Sequence, residues 1–303
     1  MKTGKTEARK AERYIGDDLF MAAVYFFLLV VLICMLYPLI YVVSASFSSP
    51  GAVAGGKVFL WPVEPTLLGY QAVFQNQKIV TGFLNSVFYL AVGTSVNLVM
   101  TMLAAYPLSR KEFYGRKVVT AIFVFTMYFS GGLVPSYLLM KNLRLLDTRA
   151  VLIIPVAMSV WNVIIARTYL QNTIPDELFE AASIDGCSET GFFLKVVLPL
   201  SKPIMAVLVL YYGVYHWNSY FNAMIYLKSP ELQPLQIVLR EILLLGKVDM
   251  TMITDVAALE KMQGLSNLLK YAVIVVASVP MMCIYPFVQK HFVKGVMVGS
   301  LKG

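Results

Sequence analysis

Eight side chains suited to holding a polar solute crowd one apolar stretch: Tyr211, Tyr212, Tyr215, His216, Trp217, Asn218, Tyr220 and Asn222. Aromatic platforms of this kind stack on the C–H faces of sugar rings, while amides and hydroxyls bond the ring hydroxyls. Tyr211, Tyr215, His216, Trp217, Asn218 and Asn222 are therefore the candidates for solute contact. Two structural duties compete for the same residues. Polar groups tie apolar helices together, and aromatics such as Trp217 and Tyr226 form belts where a membrane meets water. Asn85, Ser95 and Asn97 form a lesser set of the same kind.

Other chemistries have no residues to run them. The chain has no Gly-x-x-x-x-Gly-Lys-Ser/Thr loop, so it does not hydrolyse ATP itself. Its two histidines, His216 and His291, lack metal-ligand spacing, and no Ser/His/Asp arrangement stands out. No catalytic residue and no cofactor is expected. Cys34 and Cys283 lie in apolar segments and Cys187 in a polar one, which is no disulfide framework.

The elements that must position these residues are membrane helices. Hydrophobic residues make up 58% of the 303-residue chain, charged ones 14%, and mean hydropathy is +0.71. A soluble domain has roughly 25% charged residues. The net charge of +8 is scattered among the polar segments, as membrane-flanking charge is, and no nucleic-acid partner is expected. An all-α, polytopic membrane fold follows, with six transmembrane helices at about 20–43, 83–108, 118–140, 150–169, 203–227 and 271–288. The first run exceeds the roughly 7–15 apolar residues of a signal peptide and reads as a retained anchor in lipid. Ser130-Gly131-Gly132 and Pro135 interrupt the third span, where the glycines are expected to serve close helix packing rather than a break.

Residues 1–19 and 291–303 read as tails, and six spans put both on one side. Of the 25 Lys and Arg, 15 fall on that side, which the positive-inside bias makes cytoplasmic. The spans hold almost no ionisable groups, whereas ion-coupled carriers usually need them at membrane depth. That points to an external source of energy. The alternative is a self-standing secondary carrier or channel for a polar solute.

The longest cytoplasmic interval, 173–202, reads as two short helices hinged at a glycine. Pro175 suits a first turn, with Thr173 or Asp176 able to cap it. Gly186 suits a left-handed stop, and Ser188 can cap the second helix. Phe192, Phe193, Val196, Val197 and Leu200 fall on one face of that helix, which Pro199 is expected to end.

Within it, Glu180-Ala181-Ala182, then Gly186, then Leu198-Pro199 resembles the EAA loop of ABC importer inner-membrane permeases. The wider match, Ile-Pro-Asp-Glu-Leu-Phe-Glu-Ala-Ala-Ser-Ile-Asp-Gly and Leu-Pro-Leu-Ser-Lys-Pro, resembles the carbohydrate-uptake branch, of the maltose type and second permease subunit. Leu68-Gly-Tyr-Gln-Ala-Val-Phe and Trp217-Asn218 fit that branch, and Ser-Gly-Gly-Leu-Val-Pro-Ser-Tyr resembles permeases for complex oligosaccharides. Cys187 departs from the family's usual small residue without disturbing the match. The resemblance implies docking to an ATPase through Glu180, Ala181, Ala182, Asp185, Gly186, Leu198 and Pro199. It further implies a second homologous permease subunit, two ATPase subunits binding ATP and Mg, and an extracytoplasmic sugar-binding protein. The cargo would be a sugar, in particular an oligosaccharide, and the span-five set would line its pathway.

Overall fold

The computed structural model describes residues 15–244 and 264–284. Among these the chain is helical, with no strand. The expected tails (residues 1–14 and 291–303), His291, Pro286, the end of the sixth span (285–288) and the loop at 245–263 lie outside the described residues.

Helix α1 (Ile15–Ser46) carries the first apolar run, and none of its apolar window is buried by the rest of the chain. Its end is fixed. Ser44 donates to the Leu60 carbonyl at 2.6 Å and Ser48 to the Ser44 carbonyl at 2.7 Å. Ser49 caps the short α2 (Pro50–Ala54), accepting the Ala52 N–H. After α3 (Leu68–Gln75), Asn76 accepts the N–H groups of Lys78 and Ile79 and so starts α4 (Gln77–Phe88). A wide turn at Tyr89–Gly93 joins α4 to α5 (Thr94–Ser109), and the three make one span, Gln77–Ser109. The turn widens where His216 enters. A Cβ on Gly93 would lie 2.8 Å from His216 Cδ2 and closer still to Nε2, so only glycine admits the ring.

The next three apolar segments are broken. α6 (Arg116–Tyr128) and α7 (Leu133–Asn142) meet at 114°. Gly132 sits there at φ +83°, with nothing near its missing Cβ. This corrects the packing role expected of the Gly131-Gly132 pair. At Gly132 the left-handed conformation is what matters, and it is a break. The fourth segment begins as two 3-10 turns, Arg149–Leu152 and Ile154–Val156, then bends 49° into α8 (Val160–Thr173). Pro155, lacking an N–H, sits in that irregular stretch. The fifth is α12 (Lys202–Trp217), which stops at Asn218 before α13 (Phe221–Tyr226), so the continuous helix expected over 203–227 is two. Among the described residues three helices are long and apolar enough to cross a membrane: Asp18–Ser46, Gln77–Ser109 and Gly264–Ile284, the last denoted α15 below. The total reaches six if each of three bent pairs is one span, the third pair being Glu189–Leu200 with α12, bent by 77°.

The core lies where α5, α8 and α12 converge. Ala105 and Ala166 are fully buried there and let the backbones approach, beside Leu108, Val163, Leu170 and Leu208. A second cluster joins α4, α15 and α14 (Leu235–Leu244), an amphipathic helix whose Leu235 and Val238 lie over Gly82. Ser86 receives the Leu235 N–H at 2.9 Å. Asp147 ties the loop after α7 to the segment after α13, accepting the N–H groups of Lys228 and Ser229 and the Ser229 hydroxyl at 2.6 Å. The Ser229 hydroxyl first, then the two backbone N–H groups, hold its carboxyl below the ordinary carboxylate range.

Gly93→Val should cost about 1–3 kcal/mol through overpacking against His216. The expected readout is a lower thermal midpoint of the purified complex, partly restored by adding His216→Ala. An unchanged midpoint would show that the ring does not occupy this notch.

Candidate functional site

The polar interval after α8 folds as α9 (Asp176–Ile184), a glycine turn, α10 (Glu189–Phe192), a wide turn at Phe193–Val197 and α11 (Leu198–Leu200). Pro175 occupies the cap position of α9, and no side chain caps it. Neither Thr173 nor Asp176 does so: Thr173 ends α8, and Asp176 is drawn sideways into ion pairs. The C-terminus forms a Schellman turn. Gly186 stands at φ +75°, Cys187 N–H donates to the Ala182 carbonyl at 2.9 Å, and Gly186 N–H donates to Ser183 at 3.0 Å. Ser188 caps α10, accepting the Gly191 N–H at 3.2 Å. Pro199 sits inside α11, which ends one residue later at Leu200 with Ser201 at its cap position. The wide turn just before it accommodates the missing Pro199 N–H.

What holds α9 in place comes from the loop after α5. The Arg110 guanidinium lies 4.1 Å over the Phe179 ring and 3.5 Å from Asp176, and its other side faces Glu112 at 3.4 Å. Arg110 is only 8% exposed, and one of its nitrogens has no partner among the described residues. Lys111 meets Asp176 at 2.8 Å. That bond depresses the Asp176 carboxyl and raises the Lys111 amine. Phe179 then packs edge-on against the buried Phe192, centroids 5.2 Å apart. Inward contacts thus use Phe179, Ala182 and Cys187, and the outer surface is left to others. Glu180, Ala181, Asp185 and Gly186 are exposed; Leu178 is 41% and Ile184 87% exposed. Leu198 packs half-buried against the core while Pro199 faces out.

The span-five residues divide by face. Trp217 is buried and its indole N–H donates to the Ala277 carbonyl at 2.9 Å, tying α12 to α15. His216 is buried against Asn97 at 2.6 Å, and Asn97 in turn donates to the Val156 carbonyl. Neither presents a free polar group to open space. Tyr212 shares a 2.6 Å bond with Thr101 and accepts the Ser159 N–H. Asn218 is exposed and donates back to the Val214 carbonyl. Tyr211 and Tyr215 are exposed beside α8, and Asn222 donates to the Tyr215 hydroxyl at 3.3 Å. Asn85 donates to the Glu231 and Gln233 carbonyls, while Ser95 only bonds back to Ala91. Two residues escaped the sequence reading. Arg110 was counted only as loop charge, and Asn162, an amide inside an apolar segment, was a signal passed over.

Helices long and apolar enough to cross a membrane, with a helix–glycine–helix between two of the apolar segments, define an integral-membrane protein. No protein-family model matches the chain. It is 41% identical over 288 residues to the Bacillus subtilis (strain 168) polygalacturonan/rhamnogalacturonan transport system permease protein YtcP, covering 95% of this chain and 99% of that one. Protein LplC of the same organism is also 41% identical, over 267 residues, 88% of this chain and 89% of its own. A chain of the crystal structure of a bacterial ABC transporter involved in the import of the acidic polysaccharide alginate superposes with a TM-score of 0.84. It is 34% identical, covering 92% of this chain and 99% of that one. The protein belongs to the carbohydrate-uptake permeases of ABC importers. It is a permease subunit, not itself an enzyme.

Arg110→Ala should release α9 without touching its outer face. A cation–π contact of this kind is worth about 1–2 kcal/mol. Amide exchange across 176–184 should therefore quicken by on the order of tenfold, measured by hydrogen exchange on the complex. Unchanged exchange would mean that the Phe179–Phe192 contact suffices alone.

Proposed function

We propose that the chain is one of two homologous permease subunits of an ATP-driven importer for oligosaccharides. Six spans, the three broken segments counted as one each, would place both termini in the cytoplasm. Two ATPase subunits binding ATP and Mg would dock on the 173–202 loop, and an extracytoplasmic sugar-binding protein would deliver the cargo. The observation that carries this is the outer surface of α9: exposed Leu178 and Ile184 beside Glu180, Ala181 and Asp185, on a helix whose inner face is already anchored. Apolar side chains held rigidly in water at the end of a membrane bundle are what a docking partner covers. The unburied α1 is likewise available to lipid and to the second permease subunit. Oligosaccharide cargo is supported by the relatives, and Tyr211, Tyr215, Asn218 and Asn222 are the span-five residues best exposed to meet it.

Transport would follow from alternating access. ATP closes the ATPase pair, the loop passes that rigid-body motion to α12, and the cavity turns toward the opposite side. Ala181 allows close approach, Glu180 pairs with a donor on the ATPase, and Gly186 sets the angle between the short helices. A lone carrier is less well supported, since the relatives are parts of transport systems.

Reporter fusions test the topology: one after Lys195 should be cytoplasmic and one after Lys228 external. Exchanged locations would take the loop out of reach of any ATPase. Gly186→Val tests the coupling. A β-branched residue at φ +75° meets a penalty on the order of 1–2 kcal/mol, and the loop should re-aim α9 to avoid it. Membrane insertion should stay normal, while uptake falls sharply and ATP hydrolysis loses its stimulation by loaded binding protein. Wild-type uptake in this variant would refute the coupling role.

A further inference from the structure

The segment after α2 doubles back onto the end of α1. Ser44 donates to the Leu60 carbonyl at 2.6 Å, and the Ser48 hydroxyl accepts the Val63 N–H at 3.0 Å. The Ser49 N–H donates to the Val63 carbonyl at 3.1 Å, and the Thr66 N–H to the Phe47 carbonyl at 2.8 Å. Val58 is buried with Ala45 and Ala52 in a small core beneath. The backbone is tied down, yet its next apolar side chains stay out of that core. Phe59, Leu60 and Trp61 are all exposed, Trp61 at 80%. The Trp61 indole N–H meets no acceptor among the described residues. Three consecutive large apolar residues held outward call for a cover.

Their depth says what the cover is. The apolar helix Asp18–Ser46 has 29 residues, a length of about 43 Å at about 1.5 Å per residue. A bilayer with both headgroup layers measures roughly 40–45 Å. The two ends of α1 therefore stand in the two headgroup layers. Ser44 lies in the last turn of that helix, so the Leu60 carbonyl bonded to it stands at the same depth. The apolar surface is also continuous, since Leu39, Ile40 and Val43 are exposed on the adjacent turns of α1. A water-soluble partner would have to enter the headgroup layer to reach this surface, whereas lipid is already there. Tryptophan favours that layer, with its ring on the apolar side and its N–H toward polar groups.

We propose that Phe59-Leu60-Trp61 is an interfacial anchor, inserted where acyl chains meet headgroups, and that its ties to α1 let it set the depth of that helix. Its partner is the bilayer itself. The anchor is independent of the cargo and of any ATPase.

The test uses the permease–ATPase complex, made free of cysteine, in nanodiscs of phosphatidylcholine and phosphatidylglycerol. Leu60→Cys carries a nitroxide. Power saturation compares its collisions with oxygen, which dissolves among acyl chains, and with a nickel chelate, which stays in water. Oxygen should win several-fold, with the label within about 10 Å of the lipid phosphates. A label reached mainly by the chelate lies in water, and one reached by neither is covered by protein. Either result overturns the anchor. Depth-setting is read from a second nitroxide at Leu39→Cys in α1. Phe59→Ser, Leu60→Ser and Trp61→Ser together should shift that label's depth while the complex still assembles, because the three side chains lie outside the core. An unchanged depth would show that α1 finds its level without the loop, and would overturn that role.

Discussion

Hydrocarbon offers a peptide group no hydrogen-bond partner, and the rest of this structure follows from that constraint. A continuous helix satisfies itself, but every break strands N–H and C=O groups that must be met from elsewhere. The chain breaks repeatedly, and side chains on neighbouring helices mend the gaps. Asn97 reaches the Val156 carbonyl, Tyr212 receives the Ser159 N–H, and Asn85 and Tyr89 take the carbonyls of Glu231, Leu232 and Gln233. Polar residues that look like functional candidates in an apolar sequence are therefore often repairs.

On the polar end a different economy applies. Water competes for every charge, and exposed ion pairs are worth little alone. Arg110 escapes this by being buried: it stacks on Phe179 while its edge faces Asp176 and Glu112. One residue thereby joins the end of α5 to α9. The Schellman turn at Gly186 and the serine cap at Ser188 then determine where the next helix goes. The loop is held by the closed C-terminus of α9, the capped start of α10 and a packed inner face.

The class of fold was legible from composition and apolar run length, because burial in lipid leaves a signature in every span. The glycine hinge was legible too, since Gly186 between two helical patterns has one inexpensive use. Asp176 was misjudged as a cap because its partners Arg110 and Lys111 lie more than sixty residues earlier in the chain, and Thr173 because α8 runs on to include it. Gly132 was misjudged because close packing and a left-handed break both call for glycine, and only the backbone angle separates them. The span-five inventory hid its division into faces. His216 and Trp217 turn toward α5 and α15, while Tyr211 and Tyr215 turn toward α8, and a list of residue types carries no such bearing.

The helix Glu189–Leu200 meets α12 at 77°, with the corner at Ser201, whose hydroxyl is bonded to the Val197 carbonyl. Two rods fixed at nearly a right angle make a bell crank. A tilt of the first about the corner swings the second about the same corner, with its displacement growing along α12. Tyr211 and Tyr215 stand about three and four turns from that corner, whereas Ile204 stands within the first turn. A small displacement applied at the Glu189 end would thus move the aromatic pair several times farther than the packed base of the same helix.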